Sequence, residues 1–271
     1  MKTIHLLTAI ALTLVALTTA RGQTVSGSAG DLILAFRTND NAIQENLEVD
    51  LGQYSQFTDL APGTVLNLNL NGTYYGSAGG LSASDISTVF GTTNWNSLTD
   101  LVWSVAGDNG SGANTDLFVT FTPANGALVN QASGSTQNTP GARLRTELGD
   151  LEGAAVVSSS GSPEAAEIAA STTAAGGYTY AIRGTGATTK DYGYFNHSTE
   201  ALVSSSGPSS LDLFEEFAGG SGPGTDLGTF SLDSAGDFTF TAAPVPEPST
   251  YAGLIVGGAS LLLVRRRRTT S

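Results

Sequence analysis

Downstream of the first five residues the chain has a single histidine, His197, in Tyr194-Phe195-Asn196-His197-Ser198. Histidine is the commonest acid-base and metal-binding side chain. One residue cannot build a histidine metal cluster. A Ser-His-Asp triad would have serines and aspartates to draw on, but no Gly-x-Ser-x-Gly nucleophile elbow in a strand-turn-helix setting accompanies His197. With no cysteine, disulfides and thiolate metal sites are excluded. Calcium needs only oxygens, and Asp108-Asn109-Gly110-Ser111-Gly112-Ala113-Asn114-Thr115-Asp116 is the richest oxygen-bearing loop. It departs from the EF-hand pattern, with Gly110 at the third position and no distal glutamate. Its Gly, Asn and Asp content is that of a hairpin turn. Glu215-Glu216 is the only adjacent acidic pair considered for glycosidic chemistry, and neighbours on a strand face opposite ways. Tyr178 with Tyr180, and Tyr192 with Tyr194, would form sugar-stacking platforms or ordinary cross-strand packing pairs. Phosphate-loop and dinucleotide signatures are absent from the sequence. The residues therefore point to no catalytic, cofactor or metal site, and to a protein that is not an enzyme.

The elements that must position these residues are mostly strands. Short alternating runs recur between Gly, Asn, Asp and Ser clusters, with no long helical stripe and no fixed repeat. Asp31–Arg37 and Leu47–Leu51 read as paired strands, with Leu47, Val49 and Leu51 on one face and Glu48 and Asp50 on the other. Val65–Leu70 alternates strictly. Leu101–Ala106 and Leu117–Thr122 form a pair around the loop 107–115. Tyr178–Ile182 reads as a strand, and Thr229–Leu232 with Phe238–Thr241 as a hairpin over Asp233-Ser234-Ala235-Gly236. Helix is expected only in short pieces: a turn or two from Ser82 or Ser84 to Phe90, and a short helix opened by Ser162-Pro163-Glu164 and running through Ala170. Residues 126–173 have the weakest periodicity and read as a variable or mobile insertion. The expected fold is all-β: one β-sandwich-like domain with a few short helices.

Charge narrows the partners. All 24 acidic residues lie between Asp31 and Glu247, and 11 basic residues are present in the whole chain. Five of these basic residues, Lys2 and Arg265 to Arg268, are terminal, so the central region is strongly negative. It should repel nucleic acid and anionic lipid. Only 13% of residues are charged and glycine numbers 34, the polar-uncharged surface typical of exported β-proteins.

Both ends read as targeting signals. Met1-Lys2-Thr3-Ile4-His5 precedes an apolar run from Leu6 to Leu17, and Thr18-Thr19-Ala20 supplies the small residues of a cleavage site. Residues 1–20 are thus expected to be a signal peptide, cut after Ala20 or alternatively after Gly22. Residues 21–244 form the extracellular domain. In the remainder, 245–271, Pro246 and Pro248 flank Glu247 and keep the chain extended. The apolar run 251–264 would make a helix of about 21 Å against a hydrocarbon core of about 30 Å, which suits a transient anchor. Arg265, Arg266, Arg267 and Arg268 form a stop-transfer block that stays cytoplasmic.

This ordered combination of Pro246-Glu247-Pro248, apolar helix and terminal arginines resembles the PEP-CTERM sorting domain. The resemblance covers about the last 27 residues. It implies recognition by an exosortase-type membrane enzyme that removes the tail and passes the protein outward. The phrases Asp31–Arg37, Val49-Asp50-Leu51-Gly52 and Trp103–Gly107 also resemble a large group of exported β-rich PEP-CTERM proteins, which carry no assigned biochemical activity. Expected partners are the Sec machinery, signal peptidase and the exosortase, with no nucleic acid and no cofactor. The expected function is that of a non-enzymatic surface or extracellular-matrix component, anchored transiently in the inner membrane. The alternative is an exopolysaccharide-binding module using the Tyr178–Tyr194 region, and the third reading a secreted hydrolase.

Overall fold

The computed structural model describes residues 25, 27–39, 45–68, 73–74, 77–78, 83–92, 94–110, 115–123, 134–152, 154, 165–169, 177–183, 192, 195, 198–218 and 222–244. Alternating apolar residues there form antiparallel strands because each second side chain must reach a dry interior. Strand β1 (Asp31–Thr38) pairs with β2 (Glu45–Gln53), placing Leu34 opposite Val49 and Phe36 opposite Leu47. Strand β3 (Val65–Asn67) takes up the start of the alternating run 65–70, Leu68 N–H donates to the Phe238 carbonyl, and residues 69–70 lie outside the described ones. A two-residue hairpin follows, β4 (Thr73–Tyr74) with β5 (Ser77–Ala78). Then come β6 (Leu101–Asp108), β7 (Leu117–Phe121), β8 (Ala165–Ala169), β9 (Ala201–Leu202), β10 (Ser209–Glu216), β11 (Thr225–Leu232) and β12 (Phe238–Ala242).

Apart from the β4–β5 hairpin, these strands form one antiparallel sheet in the order β3-β12-β11-β10-β7-β6-β1-β2-β8, with β9 added to β6. The sheet folds back on itself. Trp103 of β6 meets Phe238 of β12 edge-on at a centroid distance of 5.7 Å. Those strands are four steps apart, and a flat sheet would hold them about 19 Å apart. The enclosed inner face carries Leu34, Phe36, Val49, Trp103, Leu213 and Phe240. One helical turn, α1 (Ser55–Thr58), inserts Phe57 between Phe230 and Phe240. Helix α2 (Ala83–Val89) and the 3-10 turn Trp95–Ser97 add Ile86 and Trp95 to the same core.

The outer face is covered by helices, and here three expectations fail. Residues 134–151 form the 18-residue helix α3 (Gly134–Leu151), within the segment expected to be an insertion of weak periodicity. Its buried Leu144 and Leu151 bracket the fully buried Glu147. Tyr178–Ile182 lies in helix α4 (Gly177–Arg183) rather than a strand, and its buried Tyr178, Ala181 and Ile182 follow helical spacing. Ala165–Ala169 is the edge strand β8, paired to β2, rather than a short helix, while Ser162, Pro163 and Glu164 lie outside the described residues. In each case a partner distant in sequence overrides local propensity. The described fold is mostly β, a folded-back sheet with an apolar core on each face.

Candidate functional site

The outer face of β1, β2 and β6 should be apolar where helices cover it, yet it carries Arg37, Asn46, Glu48, Asp50, Ser104 and Asp108, all buried. The alternation correctly separates Glu48 from Leu47 and Val49. It does not show that Glu48 faces packed helices instead of water.

Two polar clusters result. In the first, Arg37 grips Glu200 at two points, Nε donating to Oε1 at 2.8 Å and Nη2 to Oε2 at 2.6 Å. Tyr178 donates its hydroxyl to Glu200 Oε1 at 2.7 Å, and Ser104 donates to the Tyr178 hydroxyl at 2.8 Å. The Tyr192 hydroxyl lies 3.4 Å from Ser104 Oγ. Burial, and then the Glu200 carboxylate, hold the Tyr178 phenol well above its usual range.

In the second cluster, Glu48 Oε1 accepts the Tyr178 N–H at 2.6 Å, and Asp150 Oδ2 accepts the Gly177 N–H at 3.0 Å. These carboxyls satisfy two of the free amides that open α4. Gly177 has φ +49, and a Cβ there would overlap Glu48 Oε1 and meet Ile168 Cγ2 at 2.8 Å. Thr179 donates to Asn46 Oδ1 at 2.6 Å and ties the same turn to β2. Burial pushes the Glu48 carboxyl up to about 8, against the opposing effect of the Tyr178 N–H. Glu147 is raised well above the carboxylate range by burial and then by Glu48 and Asp150. Glu48 Oε2 and both Glu147 oxygens have no hydrogen-bond partner among the described residues.

The residues singled out from sequence fall elsewhere. Asp108 Oδ2 takes Arg145 at 2.9 Å, while its Oδ1 takes the Gly110 N–H. Asp116 accepts from Asn109 Nδ2 and from the Ala218 N–H. Both carboxylates of that hairpin are therefore used inside the protein; residues 111–114 lie outside the described ones. Glu215 and Glu216 do face opposite ways on β10: Glu216 stands opposite Leu117 on the outer face and is fully buried. Tyr178 and Tyr192 are fully buried, which removes them from any sugar-stacking platform. Tyr180 shares the helix α4 with Tyr178, so the two do not share a strand face. Tyr194, His197, Ala20, Pro246, Glu247, Pro248 and Arg265 to Arg268 lie outside the described residues. Among the described residues no helix is long and apolar enough to cross a membrane, and no group of three metal-binding side chains has ligating spacing.

Sequence reasoning missed the buried acids, although one signal was present. Arg37 ends a strand of continuous apolar character, and a charge there demands a buried partner. That partner is 163 residues away. Comparison with protein-family models, curated proteins and solved structures finds no match for this chain.

Proposed function

We propose that the protein is a non-enzymatic component of the cell surface or extracellular matrix, exported through residues 1–20 and sorted through residues 245–271. The observation that carries this reading is the ordered tail: Pro246-Glu247-Pro248, the apolar run 251–264, then Arg265 to Arg268. The domain's own chemistry is compatible with a carrier of fixed shape. Its buried polar groups Arg37, Glu48, Asn46 and Glu200 are spent on fastening helices to the sheet. Before the tail, Ala242 donates its N–H to the Thr64 carbonyl and accepts the Gly63 N–H on one side, and stands opposite Gly228 of β11 on the other. Pulling on the tail therefore loads the sheet directly.

Intact-mass measurement of the native surface protein tests this. The expected mass lacks both terminal segments; an arginine block still attached to surface-exposed protein would overturn sorting in favour of a permanent anchor. Two variants separate the parts of the signal. Serine at 265 to 268 should release uncut precursor outward, because each arginine at the bilayer centre costs about 2.5 kcal/mol or more. Glu247→Ala should leave the precursor uncut and membrane-bound.

A second reading, polysaccharide binding, moves from Tyr178–Tyr194 to a notch of about 440 Å³ beside Glu200. Asn39, Thr122, Ser198, Ser209 and Ser210 line it with neutral hydrogen-bonding groups. Trp103 Nε1 donates to Ser209 Oγ, which directs the serine's own proton elsewhere. Glycan-array binding that is lost in Ser209→Ala and Asn39→Ala would favour it.

A further inference from the structure

Among the described residues, the outer face buries more acid than base. The charge of Arg37 is spent on Glu200, and that of Arg145 on Asp108. Glu48, Glu147 and Asp150 remain. Arg143 precedes Glu147 by one turn of α3, but its buried Nη1 and both Glu147 oxygens have no hydrogen-bond partner among the described residues. Arg183 at the end of α4 likewise holds a buried, unbonded Nε. Two ionised carboxylates cannot stand together in a dry interface without a cation, and no three metal-binding side chains among the described residues have ligating spacing. Among the described groups, a proton is the remaining counter-charge that fits the space.

We infer that protons on Glu48 and Glu147 latch the α3–α4 pair to the outer face of the sheet, and that the pair lifts away as the medium turns alkaline. Every neighbouring element leaves these acids in the same condition. Strand β1 contributes Arg37, already paired; β2 contributes Asp50, which accepts the Gly52 N–H; β6 contributes Asp108, paired with Arg145. Strand β8 contributes only the exposed Glu167, and α4 contributes Tyr178 and Arg183. The Tyr192 phenol is itself pushed up by burial and by Glu147, so it stays neutral.

The direction follows from proton counting. The folded state keeps protons on Glu48 from the ordinary value of 4.5 up to about 8, where the unfolded chain has lost them. Stability from the latch is complete below that window and falls as pH rises through it. Ionisation then sets Glu48, Glu147 and Asp150 against one another across the α3–sheet and α4–sheet contacts. The inner core contains none of these groups, so release is local rather than global.

Trypsin reads the release, because Arg143 and Arg145 lie on α3 and Arg183 on α4. Purified protein is digested at about pH 6 and about pH 9, with rates normalised to a short arginine peptide; cleavage at these sites should run roughly tenfold faster at the higher pH. Glu147→Gln keeps the shape and removes the charge, and should hold the slow rate at both. Both tryptophans, Trp95 and Trp103, sit in the inner core, so their fluorescence should not change. Equal rates at both pH values would overturn the latch, as would equal acceleration in Glu147→Gln. A tryptophan shift accompanying cleavage would replace local release with global unfolding. Protection of the unmutated protein at high pH by calcium or magnesium would replace the proton with a cation. Should Glu147→Gln fail to fold, Asp150→Asn serves, with a slower high-pH rate expected and an unchanged one counting against the latch.

Discussion

Arg37 and Glu200 meet as a two-point ion pair in which both side chains are almost fully buried. Arg37 also donates to the Thr38 carbonyl, and its guanidinium stands 5.9 Å from the Tyr178 ring centroid. The pair therefore joins β1, α4 and the segment entering β9. Removing one partner strands the other charge in a dry interior. Arg37→Met should cost about 3–5 kcal/mol in urea unfolding, whereas Arg37→Met with Glu200→Leu should recover most of it. A double variant no better than the single one would mean that Glu200 does not depend on Arg37.

Gly177 offers a cleaner test of backbone geometry. Its φ of +49 is unfavourable for a residue with a Cβ, and that Cβ would collide with Glu48. Gly177→Ala should therefore destabilise by at least about 2 kcal/mol. Gly149, near the end of α3, is the control, since a Cβ there meets nothing within 4 Å. Gly149→Ala should stabilise by about 0.5–1 kcal/mol, the ordinary helix-propensity gain. Thermal melts of the two variants should move in opposite directions.

The contrast between these glycines shows what sequence reading reached. Strand β2 and the β11–β12 hairpin were legible from their alternation, and β1, β6 and β7 from short apolar runs bounded by turn residues, which suit strands buried on both faces. The fold-back that brings Trp103 to Phe238 was not, because it depends on strand order. Helix α3 was hidden by Gly134, Pro140, Gly141 and Gly149, although Leu144, Leu148 and Leu151 carry its spacing. Tyr178–Ile182 has strand-forming residues, and only the distant Glu48 and Asp150, 130 positions before Tyr178 and 27 before Gly177, show that the opening amides are capped as a helix. The buried acids escaped notice for the same reason. Acid pairing was sought between sequence neighbours, and Glu48 meets Glu147 only through the packing of α3 on the sheet.

Glu216 gives a pH prediction separate from the latch. It ends β10 fully buried, closes against Gly224, and burial pushes its carboxyl up to about 7. A raised carboxyl means that the folded state holds a proton the unfolded chain has released. Its contribution is intact below the ordinary value of 4.5 and is lost by about pH 7. Glu216→Gln should thus be more stable than the unmutated protein at pH 8, by about 1 kcal/mol after allowance for solvent. The difference should shrink toward pH 4. Parallel stability–pH curves for the two proteins would count against this assignment.

The Asp108–Asp116 hairpin allows a last prediction, on calcium. Its composition suits an oxygen-ligand site, but each carboxylate already has a partner. Asp108 accepts from Arg145 at 2.9 Å, and Asp116 accepts from Asn109 at 2.7 Å and from the Ala218 N–H at 2.8 Å. A calcium ion would have to displace the Arg145 guanidinium and break the turn that registers β6 against β7. Coordination energy spent on breaking those contacts does not appear as stabilisation, so calcium titration should move the melting temperature little or not at all. Asp108→Ala should destabilise irrespective of calcium, because it removes the anchor between β6 and α3. A saturable calcium-dependent rise that disappears in both Asp108→Ala and Asp116→Ala would show that the ion wins this competition.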